Sequence, residues 1–97
     1  VLCVVTDGVA TITLNRPDSK NRLDAEAMDL VTSHLAACAV DPAVRVIVLT
    51  GSGSTFCAGA DLSAAASGDQ GGFVGSGPTA LVRLLTELLD NPKPVIA

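Results

Sequence analysis

The hydrophobic and polar positions of the first fifteen residues predict two strands. Val1 to Thr6 is an apolar run rich in β-branched residues, and it closes on Asp7-Gly8, a dipeptide suited to the tight turn of a hairpin. In Val9 to Asn15, Ala10, Ile12 and Leu14 alternate with Thr11, Thr13 and Asn15, the period of two that gives a strand one buried face. Arg16-Pro17-Asp18-Ser19 reads as a loop. Asp24 then caps a helix whose inward face uses Ala27, Met28, Val31, Leu35 and Cys38. Asp41-Pro42 ends that helix, because proline cannot continue the hydrogen-bond ladder. Val44 to Thr50 is dense in β-branched residues and predicts a central strand buried on both sides. Strand, helix, strand in this order predicts a parallel crossover and an α/β fold.

From Ser63 to Gly77 the chain becomes rich in Ala, Ser and Gly without a clear period, which predicts a mobile surface segment rather than a second domain. Leu81, Leu84, Leu85, Leu88 and Leu89 then recur at helical spacing, as core or as a contact between subunits. Pro78 suits the first turn of that helix and Asn91-Pro92 its stop. Lys93-Pro94-Val95-Ile96-Ala97 begins another extended run.

Composition narrows the function classes. At 97 residues the chain is one domain at most, or part of something larger. It has two Phe and no Trp or Tyr, so the core must be built from Val, Leu, Ile and Ala. Six basic residues face ten acidic ones, and neither sign forms a block, which argues against nucleic-acid binding. Cys3, Cys38 and Cys57 form no CxxC pair and no His/Cys cluster, so they read as reduced thiols in a cytoplasmic protein, with no metal site. His34 has no second ligand at useful spacing and reads as a surface or helix-end histidine. The apolar runs are too short to span a membrane, while a start at Val1 rather than Met leaves room for a removed leader.

The segment that can carry chemistry is Thr50-Gly51-Ser52-Gly53-Ser54-Thr55-Phe56-Cys57-Ala58-Gly59-Ala60-Asp61-Leu62, directly after the strongest strand. In open α/β sheets ligands collect beyond the carboxyl ends of strands, and small residues there let backbone groups approach them. Three readings fit the residues: a nucleotide-phosphate loop, an oxyanion site, or a turn that needs glycine. The first lacks GxGxxG and the Lys-Ser/Thr of a Walker A loop.

Val46-Ile47-Val48-Leu49-Thr50-Gly51 followed by Phe56-Cys57-Ala58-Gly59-Ala60-Asp61-Leu62 resembles the signature strand and loop of the enoyl-CoA hydratase/isomerase (crotonase) family. Asn15-Arg16-Pro17 and Lys20-Asn21-Arg22-Leu23 resemble the family's RP-containing turn and helix entry. The leucine-rich helix and Lys93-Pro94-Val95-Ile96-Ala97 follow in the family's order, so the resemblance covers essentially residues 1–97. It implies a ββα-type spiral core, incomplete in this chain, as the N-terminal part of a single crotonase-like domain. It also implies a thioester carbonyl held by two backbone N–H donors, one from Ala60 and the other beyond Ala97. The family's adenine and pantetheine contacts carry over to Lys20, Arg22, Leu23, Ala58, Gly59, Ala60, Asp61 and Leu62. Arg22 departs from the small residue common at its position and reads either as a contact to CoA phosphates or as a solvated helix-start arginine. Asp61 reads as fixing the turn through local hydrogen bonds rather than as a general acid.

The implied activity is acyl-CoA processing of the enoyl-CoA hydratase or isomerase type, in fatty acid metabolism. Coenzyme A enters as part of the substrate and no cofactor is permanently bound. The two acid/base glutamates of hydratase-like members belong beyond Ala97, so Glu26 and Glu87 read as solvated helix residues and the 97-residue chain alone as inactive. The complete protein is expected to form a trimer or a pair of trimers. The alternative is a truncated or degenerate module that binds CoA thioesters or packs against other subunits without turnover.

Overall fold

Asp7 and Gly8 both have positive φ, 53° and 82°, the backbone of a two-residue turn whose twist matches that of the strands it joins. They link β1 (Leu2–Thr6) to β2 (Val9–Leu14) in the computed structural model, which describes residues 1–59 and 77–97. The hairpin is antiparallel, from Thr6 opposite Val9 to Leu2 opposite Thr13. After β2 the chain makes a short 3-10 turn (Pro17–Ser19) where the sequence suggested only loop, and Pro17 supplies a φ suited to it. Lys20 and Asn21 then adopt left-handed backbone, φ 55° and 57°, and bend the chain into α1 (Ala25–Val40). The Asp24 side chain accepts from Ala27 N at 2.8 Å and so caps α1 as its position predicts.

α1 returns the chain to β3 (Val46–Gly51), which pairs in parallel with β2, from Val9 opposite Val46 to Leu14 opposite Gly51. α2 (Gly77–Asp90) precedes the short β4 (Val95–Ile96), which adds in parallel to the other edge of β3. The sheet order is therefore β1-β2-β3-β4. Ala10, Ile12, Leu14 and Ile47 on one sheet face pack with Met28, Val31, Leu35 and Cys38 of α1 and with Ala80 and Leu84 of α2 in a single apolar core. The expected inward face of α1 is buried in full. On α2 the leucine stripe divides: Leu84 is buried, Leu81 and Leu88 pack against the core, and Leu85 and Leu89 are exposed.

β3 was expected to be central and buried on both sides. It is central, with β2 and β4 on its two sides, but only Ile47 of it is buried among the described residues. Both helices share one core on one face of the sheet. The other face carries Val46, Val48 and Thr50 half-buried, with Leu2, Val4 and Ile96 exposed. β-branched density therefore predicted the central strand correctly, and among the described residues its cover lies on one face. Among the described residues no helix is long and apolar enough to cross a membrane. The segment 63–76 lies outside the described residues.

Two polar ties hold the layers together. Asn21 is the buried polar side chain of the described residues, 1% exposed. Its Oδ1 accepts from Arg16 N at 2.7 Å, and its Nδ2 donates to Ser52 O at 2.9 Å and Thr55 O at 2.6 Å. At the far end of α1, Lys93 Nζ donates to Cys38 O at 2.5 Å and Asp41 O at 2.6 Å, while Asn91 Nδ2 donates to Leu35 O at 3.1 Å.

Asn21→Ala removes both donors and the acceptor from a site closed to water, and the expected loss is about 2–4 kcal/mol in urea denaturation. Asn21→Asp should lose at least as much, because a carboxylate facing the Ser52 and Thr55 carbonyls lacks the donors that these need. Cys38 makes a pH prediction. Burial pushes its thiol up, the Cys3 charge, a hydrogen bond with Cys3 and Asp41 push the same way, and Lys93 opposes them. The folded state thus holds this proton more tightly than the unfolded chain. Its contribution is complete at neutral pH and is lost as pH rises above about 9. Cys38→Ala should flatten that alkaline fall in stability, measured by urea denaturation across the range.

Candidate functional site

The site lies where β2 and β3 end. Ser52 N donates to Leu14 O at 2.8 Å and Ser52 Oγ to the same oxygen at 3.2 Å, so the loop after β3 leaves the sheet against the end of β2. Gly51 has no room for a side chain. A Cβ there would lie 2.3 Å from Phe56 O, 2.7 Å from Asn21 Nδ2 and 2.8 Å from Thr55 O. The glycine lets the loop fold back over the strand end, and the Asn21 amide fastens it there.

Beyond Phe56 the loop joins the entry to α1 through two main-chain bonds. Ala58 N donates to Lys20 O at 3.0 Å and Leu23 N donates to Gly59 O at 2.8 Å. Gly59, at φ 108°, holds a conformation that side chains rarely adopt, and its N–H donates to Cys57 Sγ at 3.3 Å. The structure thus brings together Lys20, Arg22, Leu23, Ala58 and Gly59, five of the positions singled out in the sequence. Ala60, Asp61 and Leu62 lie outside the described residues.

The rim of this arrangement is polar. Lys20 and Arg22 are exposed and enter no ion pair among the described residues. Arg16 is instead engaged with Asp24 at 2.8 Å, an exposed pair that adds little to stability but fixes where that charge sits. The interior is apolar. Leu14, Leu23, Val31 and Leu49 meet Phe56 and Cys57 of the loop, four leucines of α2, and Val95 and Ala97 around a cavity of about 440 Å³. That volume suits a small ligand. Its lining is apolar throughout, which suits a hydrocarbon group better than a charged one.

The remaining sequence candidates stay apart from this cavity. Glu26 is exposed in the first turn of α1, Glu87 is half-buried on α2, His34 is half-buried on α1, and none of them lines it. Among the described residues no group of three or more His, Cys, Asp or Glu is placed to hold a metal ion. Sequence reasoning missed the role of Asn21. Its signal was an asparagine just after the Arg-Pro turn, since Asn is among the few residues that tolerate left-handed backbone. It missed the lysine at the end of α1 as well, because helix and lysine are far apart along the chain.

Comparison with known proteins agrees with this geometry. The enoyl-CoA hydratase/isomerase family model matches residues 5–97. A Mycobacterium tuberculosis protein named as a probable enoyl-CoA hydratase is 39% identical over 90 residues, which are 93% of this chain and 34% of that protein. The carnitinyl-CoA dehydratase of Proteus mirabilis is 40% identical over 97 residues, covering 92% of this chain and 33% of the relative. The chain therefore spans about a third of the length of the curated relatives it matches. Among solved structures, a Pseudomonas aeruginosa protein superposes with a TM-score of 0.87 at 40% identity, over 97% of this chain and 41% of the other. An enoyl-CoA hydratase from Mycobacterium avium subsp. paratuberculosis gives 0.80 at 29% identity, over 96% and 35%. The ββα arrangement is thus the crotonase-like fold, present in part, and the chain belongs to the enoyl-CoA hydratase/isomerase family, as its N-terminal portion.

Proposed function

We propose that the complete protein processes acyl-CoA thioesters, in the manner of an enoyl-CoA hydratase or isomerase. The observation that carries this reading is the double main-chain tie between the helix entry and the glycine loop, set between a basic rim and an apolar cavity. A CoA thioester is built the same way: phosphates at one end, an acyl chain at the other, and a carbonyl between them. Relatives named as a carnitinyl-CoA dehydratase and an (E)-benzylidenesuccinyl-CoA hydratase act on substrates of this class by their names, which supports the reading.

In this proposal Lys20 and Arg22 meet the CoA phosphates, and the acyl group enters the apolar cavity. Leu23, Ala58, Gly59, Asp61 and Leu62 contact the adenine and pantetheine, largely through main chain. Addition to the double bond of an enoyl thioester, or proton removal beside its carbonyl, develops negative charge on the carbonyl oxygen. The Ala60 N–H is the assigned donor to that oxygen, with a second donor and the acid/base residues supplied by the rest of the protein. A fixed donor of this kind is worth about 2.7–4 kcal/mol in the transition state. On the same reading the complete protein assembles as a trimer or a pair of trimers.

Ala60→Pro deletes the donor without adding charge. In the complete protein, kcat on crotonyl-CoA should fall about 100- to 1,000-fold with binding of CoA retained. Turnover equal to the wild type would remove Ala60 from the mechanism. Lys20→Gln should raise KM for crotonyl-CoA by about tenfold, the worth of one charge-assisted contact, with kcat little changed. The same substitution should leave KM for crotonyl-pantetheine, which lacks the nucleotide phosphates, unaltered. An equal loss on both substrates would show that Lys20 does not read phosphate.

A further inference from the structure

We propose that Lys93, assisted by Asn91, is a positioning residue that sets the register of β4 and thereby the shape of the apolar cavity. This rests on the acyl-CoA reading only where it names the consequence for substrate choice.

The register of β4 decides which of its side chains line the cavity. The strand enters its ladder with β3 by pairing Ile47 with Val95 and Val48 with Ile96. A strand's register is ordinarily fixed by alternation of apolar and polar side chains, but Val95, Ile96 and Ala97 are all apolar. Along these three residues no such pattern distinguishes the observed pairing from one shifted by a residue. Yet the two faces differ in consequence. Val95 and Ala97 line the cavity, and Ile96 points to the other face and is 56% exposed. A shift of one residue would turn the larger Ile96 into the cavity.

What fixes the pairing lies just before the strand. Lys93 Nζ donates to two carbonyls at the end of α1, Cys38 O and Asp41 O, and Asn91 Nδ2 donates to a third, Leu35 O. Asn91 Oδ1 accepts from Lys93 N at 3.0 Å, which makes the two side chains one unit. The next residue, Pro94, accepts from Ile47 N at 2.9 Å, the bond that opens the ladder. α1 has no basic residue in its last turn and ends on Asp41, an acid at the negative end of the helix dipole. Lys93 supplies from a distant segment the cation that this helix end lacks. The sum is a clamp anchored on a rigid 16-residue helix, and it leaves the chain one way to enter the sheet.

The test compares the complete wild-type protein with Lys93→Met and Lys93→Arg, by amide hydrogen exchange at Ile47 and Val95 to Ala97 and by the ratio of kcat/KM for a long-chain enoyl-CoA to that for crotonyl-CoA. Lys93→Met keeps most of the side-chain stem and loses the charge and donors. It should speed exchange at these amides and shift the selectivity ratio about tenfold against the long chain, the effect expected for lost space in an apolar pocket. Lys93→Arg retains donors for the helix-end carbonyls and should restore both readouts. A general loss of stability would lower both kcat/KM values together and leave their ratio alone. Unchanged exchange in Lys93→Met overturns the clamp. Faster exchange with an unchanged ratio overturns its link to the cavity. If the wild type turns over neither thioester, the acyl-CoA reading falls, and the exchange data still decide whether Lys93 sets β4.

Discussion

The arrangement depends on one buried side-chain amide. Asn21 stands where three pieces of chain that are not neighbours in any regular element must meet: the turn after β2, the entry to α1, and the loop after β3. Its amide offers an acceptor to the first and two donor bonds to the third. The requirements leave few alternatives. The position needs left-handed backbone, a short side chain, and both a donor and an acceptor, all within a site that water does not reach. A backbone carbonyl left without a partner there would cost about 1–3 kcal/mol. Ser52 and Thr55 therefore have their positions set by a residue more than thirty places earlier in the chain.

Helix α1 then works as a spacer with both ends in use. At its N-terminal end Asp24 caps the first turn, and the residues just before it bond to Ala58 and Gly59. At its C-terminal end the final carbonyls are held by Lys93 and Asn91. The glycine loop and β4 are consequently both referred to one rigid body, although neither is part of it. The cavity lies between them, lined by Phe56 and Cys57 of the loop on one side and by Val95 and Ala97 on the other. Leucine and valine side chains supply the lining, but they have little power to choose one geometry over another, since apolar contact is not directional.

Local signals in the sequence gave this fold away where a single element explained itself. Asp7-Gly8, the alternation in β2, the Asp24 cap and the inward face of α1 were all legible, because each depends on a spacing of four residues or fewer. β3 was legible as a central strand, but not which elements cover it. β-branched residues suit any pleated surface, and nothing in Val46 to Thr50 records how many layers lie against it. The glycine loop after a strong strand was legible, and so was the family to which the chain belongs. The polar fastenings were not. Asn21 and Lys93 act across separations of about 30 to 55 residues, and no local period marks such a pairing.

The chemistry assigned to the loop explains why so plain a sequence can serve it. If the thioester oxygen is held by main-chain N–H groups, the side chains around it are free to be alanine and glycine, and small ones bring the backbone closer to the substrate. What must be conserved in space is then the direction of a peptide group, and that depends on the residues that fix the backbone. In this chain those are Gly51, which admits the close approach, Asn21, which fastens it, and the main-chain bonds of Lys20 and Leu23 to Ala58 and Gly59. None of these needs to touch a reacting atom. A survey confined to titratable side chains would pass over the loop, and would settle instead on Glu26 or Glu87, the two carboxylates that the fold keeps away from the cavity. The direction of inference in such a site runs from backbone geometry to chemistry, with the ionisable groups assigned last.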